Sequence, residues 1–243
     1  MLDKSFRKGV TALTSSEMGT EAIVPLLYDL VMMQRPRRIL EIGGGVSSLY
    51  LLKGLVDSDA AIEDERSRSH KKERNSRGVY GSLTNRSYYD APSLPARMHM
   101  IDNFSHPGTT ANKVTQIARD LGLDGPLVVH EADFNGFAEK LPKEDIPFDM
   151  VWFDCGQIEN FQHFRNHFWP LVNKNGGLIL MHSLATNFHG QMFLAELKLD
   201  QATNLFKEFE MMTLMEPHKL MQNSITCIRL TGELHTQIHT VRP

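Results

Sequence analysis

Residues 39–48, Ile39-Leu40-Glu41-Ile42-Gly43-Gly44-Gly45-Val46-Ser47-Ser48, decide the fold. Residues 38–42 form a short apolar run that ends in three glycines. Leu49, Leu52 and Leu55 resume helical spacing directly afterwards, so the local order is strand, glycine turn, helix. Upstream, Ile23, Leu26, Leu27 and Leu30 keep the i, i+3, i+4, i+7 rhythm of a helix with one apolar face, and Pro36 closes it. Glu41 is the odd residue: a carboxylate set between a buried-looking run and a glycine turn.

The alternation continues downstream. Residues 98–102 read as a second strand, and Val114, Ile117, Ala118 and Leu121 mark the helix after it. Residues 127–133 are a third strand. A fourth, 148–154, precedes a helix carrying Phe161, Phe164 and Phe168, and NGGLILMHS (175–183) is a fifth entered through a glycine turn. Ala202, Leu205, Phe206 and Phe209 suggest one more helix, and residues 209–230 read as two strands joined around 217–223. This order predicts a mostly parallel α/β sheet with a terminal antiparallel hairpin.

Residues 57–97 break the rhythm, since compact connections in such folds take about 2–6 residues. They read as an insertion between the first helix and the second strand, within a single domain spanning 1–243. The first part, EDERSRSHKKERNSR, is charged with mixed sign; the second holds Tyr80, Tyr88 and Tyr89. Two readings stand: a solvated helix followed by a loose excursion, or a lid whose tyrosines contact a substrate.

A chain of 243 residues, 41% hydrophobic, can bury a sizeable core. Its net charge of -3 gives no pull toward nucleic acid or acidic membranes. Cys155 and Cys227 belong to no metal-spaced cluster, which argues against a disulfide framework and structural zinc. The start, MLDKSFRKGV, lacks a signal-peptide core, and no apolar run reaches the ~18 residues of a membrane span. The expectation is a cytoplasmic protein with no membrane partner. No Gly-x-Ser-x-Gly elbow, Walker loop or internal repeat occurs.

Ligands of open α/β sheets sit beyond the C-terminal strand ends, near the point where strand order reverses. Glu41, Asp102, Asp133 and Asp154 all stand at or near such ends. A dinucleotide would place its pyrophosphate over the glycine turn, where a charged Glu41 would oppose it by about 4 kcal/mol at 4 Å and a dielectric near 20. S-adenosylmethionine (SAM) carries a sulfonium, an ammonium, a ribose diol and an adenine amino group, and suits such carboxylates better.

The same residues resemble a family. ILEIGGGVSS looks like the first motif of class I SAM-dependent methyltransferases, an acid-x-Gly-x-Gly pattern with Ser47 in place of the last glycine. TSSEMGTEAIVPLL (14–27) resembles the Ser-Pro-Glu-x-Gly helix start of the catechol-type O-methyltransferases, with Ser16 where proline is usual. FDMVWFDCGQIENFQHF (148–164) resembles that group's fourth strand and following helix. The resemblance implies a Rossmann-like methyltransferase fold with a seven-stranded sheet. It implies that Glu41, Gly43 and Gly45 line the methionine end, with Ser47 and Glu17 in the same set. Asp102 would take the ribose hydroxyls, Asp133 and Phe134 the adenine, and Asp154 would border both cofactor and acceptor. The plainer reading of Asp133 and Asp154 is a residue capping the next loop or helix.

Metal-dependent members of that group hold magnesium with the acid ending strand four and an Asp-Asn pair ending strand five, and use a lysine just after the former. Here Asp154 is kept, the pair is His182-Ser183, and Gln157 stands about where the lysine belongs. One carboxylate and an imidazole suit magnesium poorly, so no metal is expected. His182 then becomes the candidate base, with Asp154 beside it; a histidine bonded to a neighbouring loop is the alternative. His163 and His167 read as surface or packing residues.

The function expected is methyl transfer from SAM to an oxygen or nitrogen of a small molecule. Two alternatives stay open: a SAM enzyme that transfers an aminocarboxypropyl group or closes a ring, releasing methylthioadenosine, and a non-catalytic binding protein on the same fold. Whether the chain forms a homodimer is left open.

Overall fold

The computed structural model describes residues 2–14, 19–72, 94–155, 158–203 and 209–232. Glu17, Tyr80, Tyr88, Tyr89 and Gln157 lie outside them. Helices α1 (Lys4–Val10) and α2 (Val24–Gln34) precede β1 (Arg38–Ile42), α3 (Val46–Lys72), β2 (Arg97–Asp102), α4 (Val114–Asp120) and β3 (Leu127–Glu131). Then come β4 (Met150–Phe153), α5 (Ile158–His163), β5 (Leu178–His182), α6 (Phe188–Thr203), β6 (Phe209–Met215) and β7 (Ser224–Leu230).

The strands form one seven-stranded sheet in the order β3-β2-β1-β4-β5-β7-β6. β1 to β5 are parallel, and β7 enters antiparallel between β5 and β6. Strand order reverses between β1 and β4, as expected of the Rossmann-like arrangement. Alternate residues feed two buried layers: Ile39, Met100 and Trp152 face the cluster packed by α1 to α4, while Leu40, Ile42 and Phe153 face the one packed by Phe161, Phe164 and Phe193. Burial on both faces explains why these strands read as continuous apolar runs.

Two expectations change. The charged stretch after residue 57 continues α3 to Lys72. Its mixed signs pair along and beside the helix, as in Lys53–Asp57 and Glu63–Arg66, and Glu65 takes a two-bond fork from Arg35 at the end of α2. The long connection therefore begins later than the spacing suggested. The last helix is also earlier than expected: α6 buries Phe193, Leu194 and Leu197, whereas Phe209 opens β6 opposite Leu230. Sheet pairing took Phe209 despite its helical spacing, and Leu205 and Phe206 of the expected helix lie outside the described residues.

The far end of the sheet from the glycine turn is locked by a buried carboxylate. Asp145 meets Arg38 at 2.7 Å, Arg97 at 3.1 Å and His99 Nε2 at 3.0 Å, and His99 Nδ1 lies 2.9 Å from His130 Nε2. With Nε2–H donated to Asp145, Nδ1 accepts from His130, and the starts of β1 and β2 are joined to β3. Burial lowers both histidine pKa values; burial alone would raise that of Asp145, but His99 and the two arginines bring it below the ordinary range. All three shifts are downward, so the unfolded chain binds more protons than the native one. The stability they contribute is complete above about pH 6.5 and is lost as pH falls. Asp145→Asn should cost about 1–3 kcal/mol at pH 7, read by urea unfolding, and should not flatten the histidine part of the decline between pH 7 and 5, because the Asp145 charge raises the His99 pKa and removing it depresses that pKa further.

Candidate functional site

The glycine turn threads between the ends of β2 and β4. Gly43 has φ 89°, donates its N–H to the Ile101 carbonyl at 3.0 Å, and leaves only 2.7 Å between an added Cβ and the Asp154 carbonyl oxygen. On Gly44 a Cβ would stand 2.6 Å from Met100 Sδ, and its N–H donates to Asp102 Oδ2 at 2.8 Å. Space and backbone conformation therefore fix these two glycines. Gly45 differs, since the nearest atom to its added Cβ is Thr110 Oγ1 at an ordinary 3.6 Å.

Glu41 lies behind the turn, fully buried on the α3 side of the sheet. Its Oε1 accepts from the Ser47 hydroxyl at 2.7 Å, and Oε2 has no partner among the described residues. Burial pushes its pKa up to about 8, against the two serine hydroxyls and helped by Asp154 and Asp102. At pH 7 it is mostly protonated. This corrects the electrostatic argument made from the sequence: Glu41 cannot repel a phosphate with a charge it does not carry, and neither it nor Ser47 or Gly45 lines the cavity in front of the turn. The low-dielectric interior neutralised the group that looked most anionic.

The carboxylates that do face the cavity are Asp102, Asp133 and Asp154, at or just beyond the ends of β2, β3 and β4. The cavity measures about 760 Å³, and no lysine or arginine is among the described residues lining it. Asp102 accepts from the backbone N–H groups of Gly44 and Phe104, at 2.8 and 2.6 Å, which leaves lone pairs for a ligand. Asp133 is exposed and accepts two bonds from Asn135, both 2.9 Å. Phe134 packs its ring between Phe153 and Phe168, with an edge in the cavity.

His182 ends β5 with its side chain 3% exposed, against 33% for Asp154. Its Nδ1 lies 2.8 Å from Asp154 Oδ1 and its Nε2 3.3 Å from the Gln222 carbonyl oxygen. Both partners are acceptors. A neutral imidazole has one donor and one acceptor nitrogen, so only the doubly protonated ring satisfies both bonds. Burial disfavours that charge, but the Asp154 charge and hydrogen bond, with the Gln222 carbonyl, raise the pKa above its ordinary value despite Lys219. In this state His182 has no lone pair with which to act as a base or to ligate a metal. The group left free to meet a substrate is the Asp154 carboxylate.

The structure thus gathers Gly43, Asp102, Asp133, Phe134, Asp154 and His182 around one cavity. It also adds Gln222, which the sequence did not single out. Ser183 and Gln222 line the cavity with left-handed backbone, φ 62° and 49°, and non-glycine residues held there often mark functional sites. Gln222 was invisible because its position depends on β7 pairing next to β5, which sets Ile225 opposite His182. No spacing rule carries that information.

Residues 40–184 match a family described as a methyltransferase domain. The chain belongs to that family. No curated protein matches the sequence. Among solved structures, the methyltransferase domain is similar to the O-methyltransferase TomG of Streptomyces achromogenes, involved in tomaymycin synthesis and solved with SAM. That pair shares 17% identity over 95% of this chain and 91% of TomG, with a TM-score of 0.62. An O-methyltransferase of Bacillus cereus, in complex with SAH, aligns at 15% identity over 95% of this chain and 90% of its own, TM-score 0.60. An rRNA methylase of Streptococcus thermophilus aligns at 9% identity over 90% and 100%, TM-score 0.53. At such identities these likenesses speak for the fold, and the fold alone does not choose between small-molecule and RNA substrates. No helix among the described residues is long and apolar enough to cross a membrane.

Proposed function

We propose that this methyltransferase-domain chain transfers a methyl group from SAM to a hydroxyl oxygen, or an amine nitrogen, of a small molecule, without a metal ion. The observation that carries the reading is the set of three strand-end carboxylates around a fixed glycine turn, with no cationic side chain among the described lining residues. Such a lining fits a ligand rich in cationic and hydrogen-donating groups. Asp102 would hold ribose hydroxyls, Asp133 and Phe134 the adenine, and Gly43 and Gly44 the close approach of the methionine end. Bound SAM supplies an electrophilic methyl on a sulfonium. The SAM and SAH held by the similar O-methyltransferases support the cofactor, and their activity favours oxygen as the acceptor atom.

The chain's own part is to orient and deprotonate the acceptor. Asp154, pinned through Oδ1 by the His182 imidazolium, presents its other oxygen to an incoming hydroxyl and takes its proton as the nucleophile attacks. His182 fixes that carboxylate, acting as a positioning residue. The doubly hydrogen-bonded His182 also supports metal independence, because neither nitrogen is open to a cation.

Calorimetry and product analysis test this reading together. SAM should bind, with nicotinamide dinucleotides much weaker, and turnover on a panel of phenols and amines should leave S-adenosylhomocysteine, unaffected by chelator. Methylthioadenosine as the product would point to transfer of another SAM carbon; turnover lost to chelator and restored by magnesium would overturn metal independence. Thermal stabilisation by SAM with no product from any acceptor would favour a binding role.

A further inference from the structure

We infer that the acceptor is an uncharged nucleophile on an apolar body, with its reacting end at Asp154 and its body on the turn between β6 and β7, at Leu220 and Met221. The inference rests on the methyl-transfer reading above and names its substrate class.

The turn is a fixed wall of the site. Antiparallel entry of β7 beside β5 brings it to the C-terminal strand ends, where Gln222 lines the cavity and directs its carbonyl at His182. Lys219 clamps it from behind: Nζ donates to the Gly19 carbonyl at 2.6 Å and to Glu216 Oε1 at 2.9 Å. Gly19, itself a lining residue, packs so tightly on the Gln222 side chain that no Cβ fits there. Lys219 is therefore spent on the clamp and offers no charge to a ligand.

Exposed apolar side chains lie on this wall and beside it. Leu220 and Met221, directly before Gln222, are 95% and 74% exposed; Phe188, directly after the lining residue Asn187, is 69% exposed. Their two segments are joined by bonds from Ser183 N–H to the Ser224 carbonyl at 2.7 Å and from Ala185 N–H to Ser224 Oγ at 3.1 Å. Single exposed apolar residues are ordinary, but these three each lie within two residues of one that lines the cavity. Inside the mouth the fixed charges facing a ligand are Asp102, Asp133 and Asp154, with the His182 charge committed to Asp154. A carboxylate, sulfonate or phosphate on the acceptor would meet repulsion there, with no arginine fork among the described lining residues to receive it. An uncharged apolar body meets neither obstacle and covers Leu220 and Met221.

The test uses two fluorescent probes of similar size on the protein saturated with S-adenosylhomocysteine: uncharged 1-aminoanthracene and anionic 8-anilinonaphthalene-1-sulfonate. The uncharged probe is expected to bind at least tenfold more tightly than the sulfonate. Leu220→Glu with Met221→Glu is expected to weaken it at least tenfold, both positions being exposed enough to leave the fold intact. Met212→Glu with Leu214→Glu, on the exposed face of β6, serves as control and should not change it. Equal or tighter sulfonate binding, failure of the uncharged probe to bind, affinity that survives the Leu220 and Met221 changes, or affinity lost equally in the control would each overturn the inference. Calorimetry with S-adenosylhomocysteine on the same samples reports the cofactor reading separately: absent heat there counts against methyl transfer, whereas the probe comparison judges the mouth.

Discussion

Gly43→Ala is expected to abolish measurable SAM binding, a loss of more than a hundredfold, and to cost about 2–5 kcal/mol of stability. Two effects act at once. At φ 89° an L side chain is strained, and its Cβ would stand 2.7 Å from the Asp154 carbonyl oxygen, a backbone atom that cannot rotate away. Relief requires the ends of β1 and β4 to separate. That movement breaks the bond from Asp154 N–H to the Ile42 carbonyl, 2.9 Å long, and displaces a carboxylate that lines the cavity. Gly45→Ala, two residues on, meets only Thr110 Oγ1 at 3.6 Å and should change stability by less than about 0.5 kcal/mol. Calorimetric titration and thermal unfolding of both variants check the contrast. A Gly43→Ala protein that binds SAM like the wild type would show that the turn does not shape the site.

The two glycines look alike in the sequence, and that limit was general. β1 was legible to the residue because a strand buried on both faces needs an unbroken apolar run and a glycine turn ends it. The strand-end positions of Asp102, Asp133 and Asp154 followed from the same alternation, and so did the place of the cavity, because in parallel sheets topology alone puts it there. What depended on burial was not legible. Glu41 reads as an anion and is a mostly neutral acid, since nothing in a linear pattern reports a fully desolvated carboxyl. His182 reads as a base, but that both of its nitrogens face acceptors was not legible, because its partners Asp154 and Gln222 lie 28 and 40 residues away and come together only through strand pairing. Helix limits failed for a third reason: charge pairing extended α3 beyond its apolar stripe, and edge pairing took Phe209 for β6.

Asp154→Asn is expected to lower kcat by about 10²–10⁴-fold, the usual contribution of a positioned base, with SAM affinity changed much less. Asparagine keeps an oxygen for His182 and a similar shape, so the variant removes charge and basicity without opening a cavity. His182→Asn removes the cation but leaves the carboxylate, and should lower kcat by a smaller factor while altering its pH profile. The sign of that profile follows from the raised pKa of His182. A group whose pKa is higher in the folded chain contributes stability that is complete below its unfolded value, near 6.5, and lost as pH rises through the folded value. The wild type should therefore lose turnover on the alkaline side as the imidazolium releases Asp154, and His182→Asn should lack that alkaline loss of turnover. The unfolding curves also carry Glu41, whose pKa raised to about 8 removes stability as pH rises from about 4.5, so the turnover profile is the readout that isolates His182. Wild-type turnover in Asp154→Asn would exclude the carboxylate as the base. An alkaline limb that persists unchanged in His182→Asn would show that the imidazolium does not hold it in place.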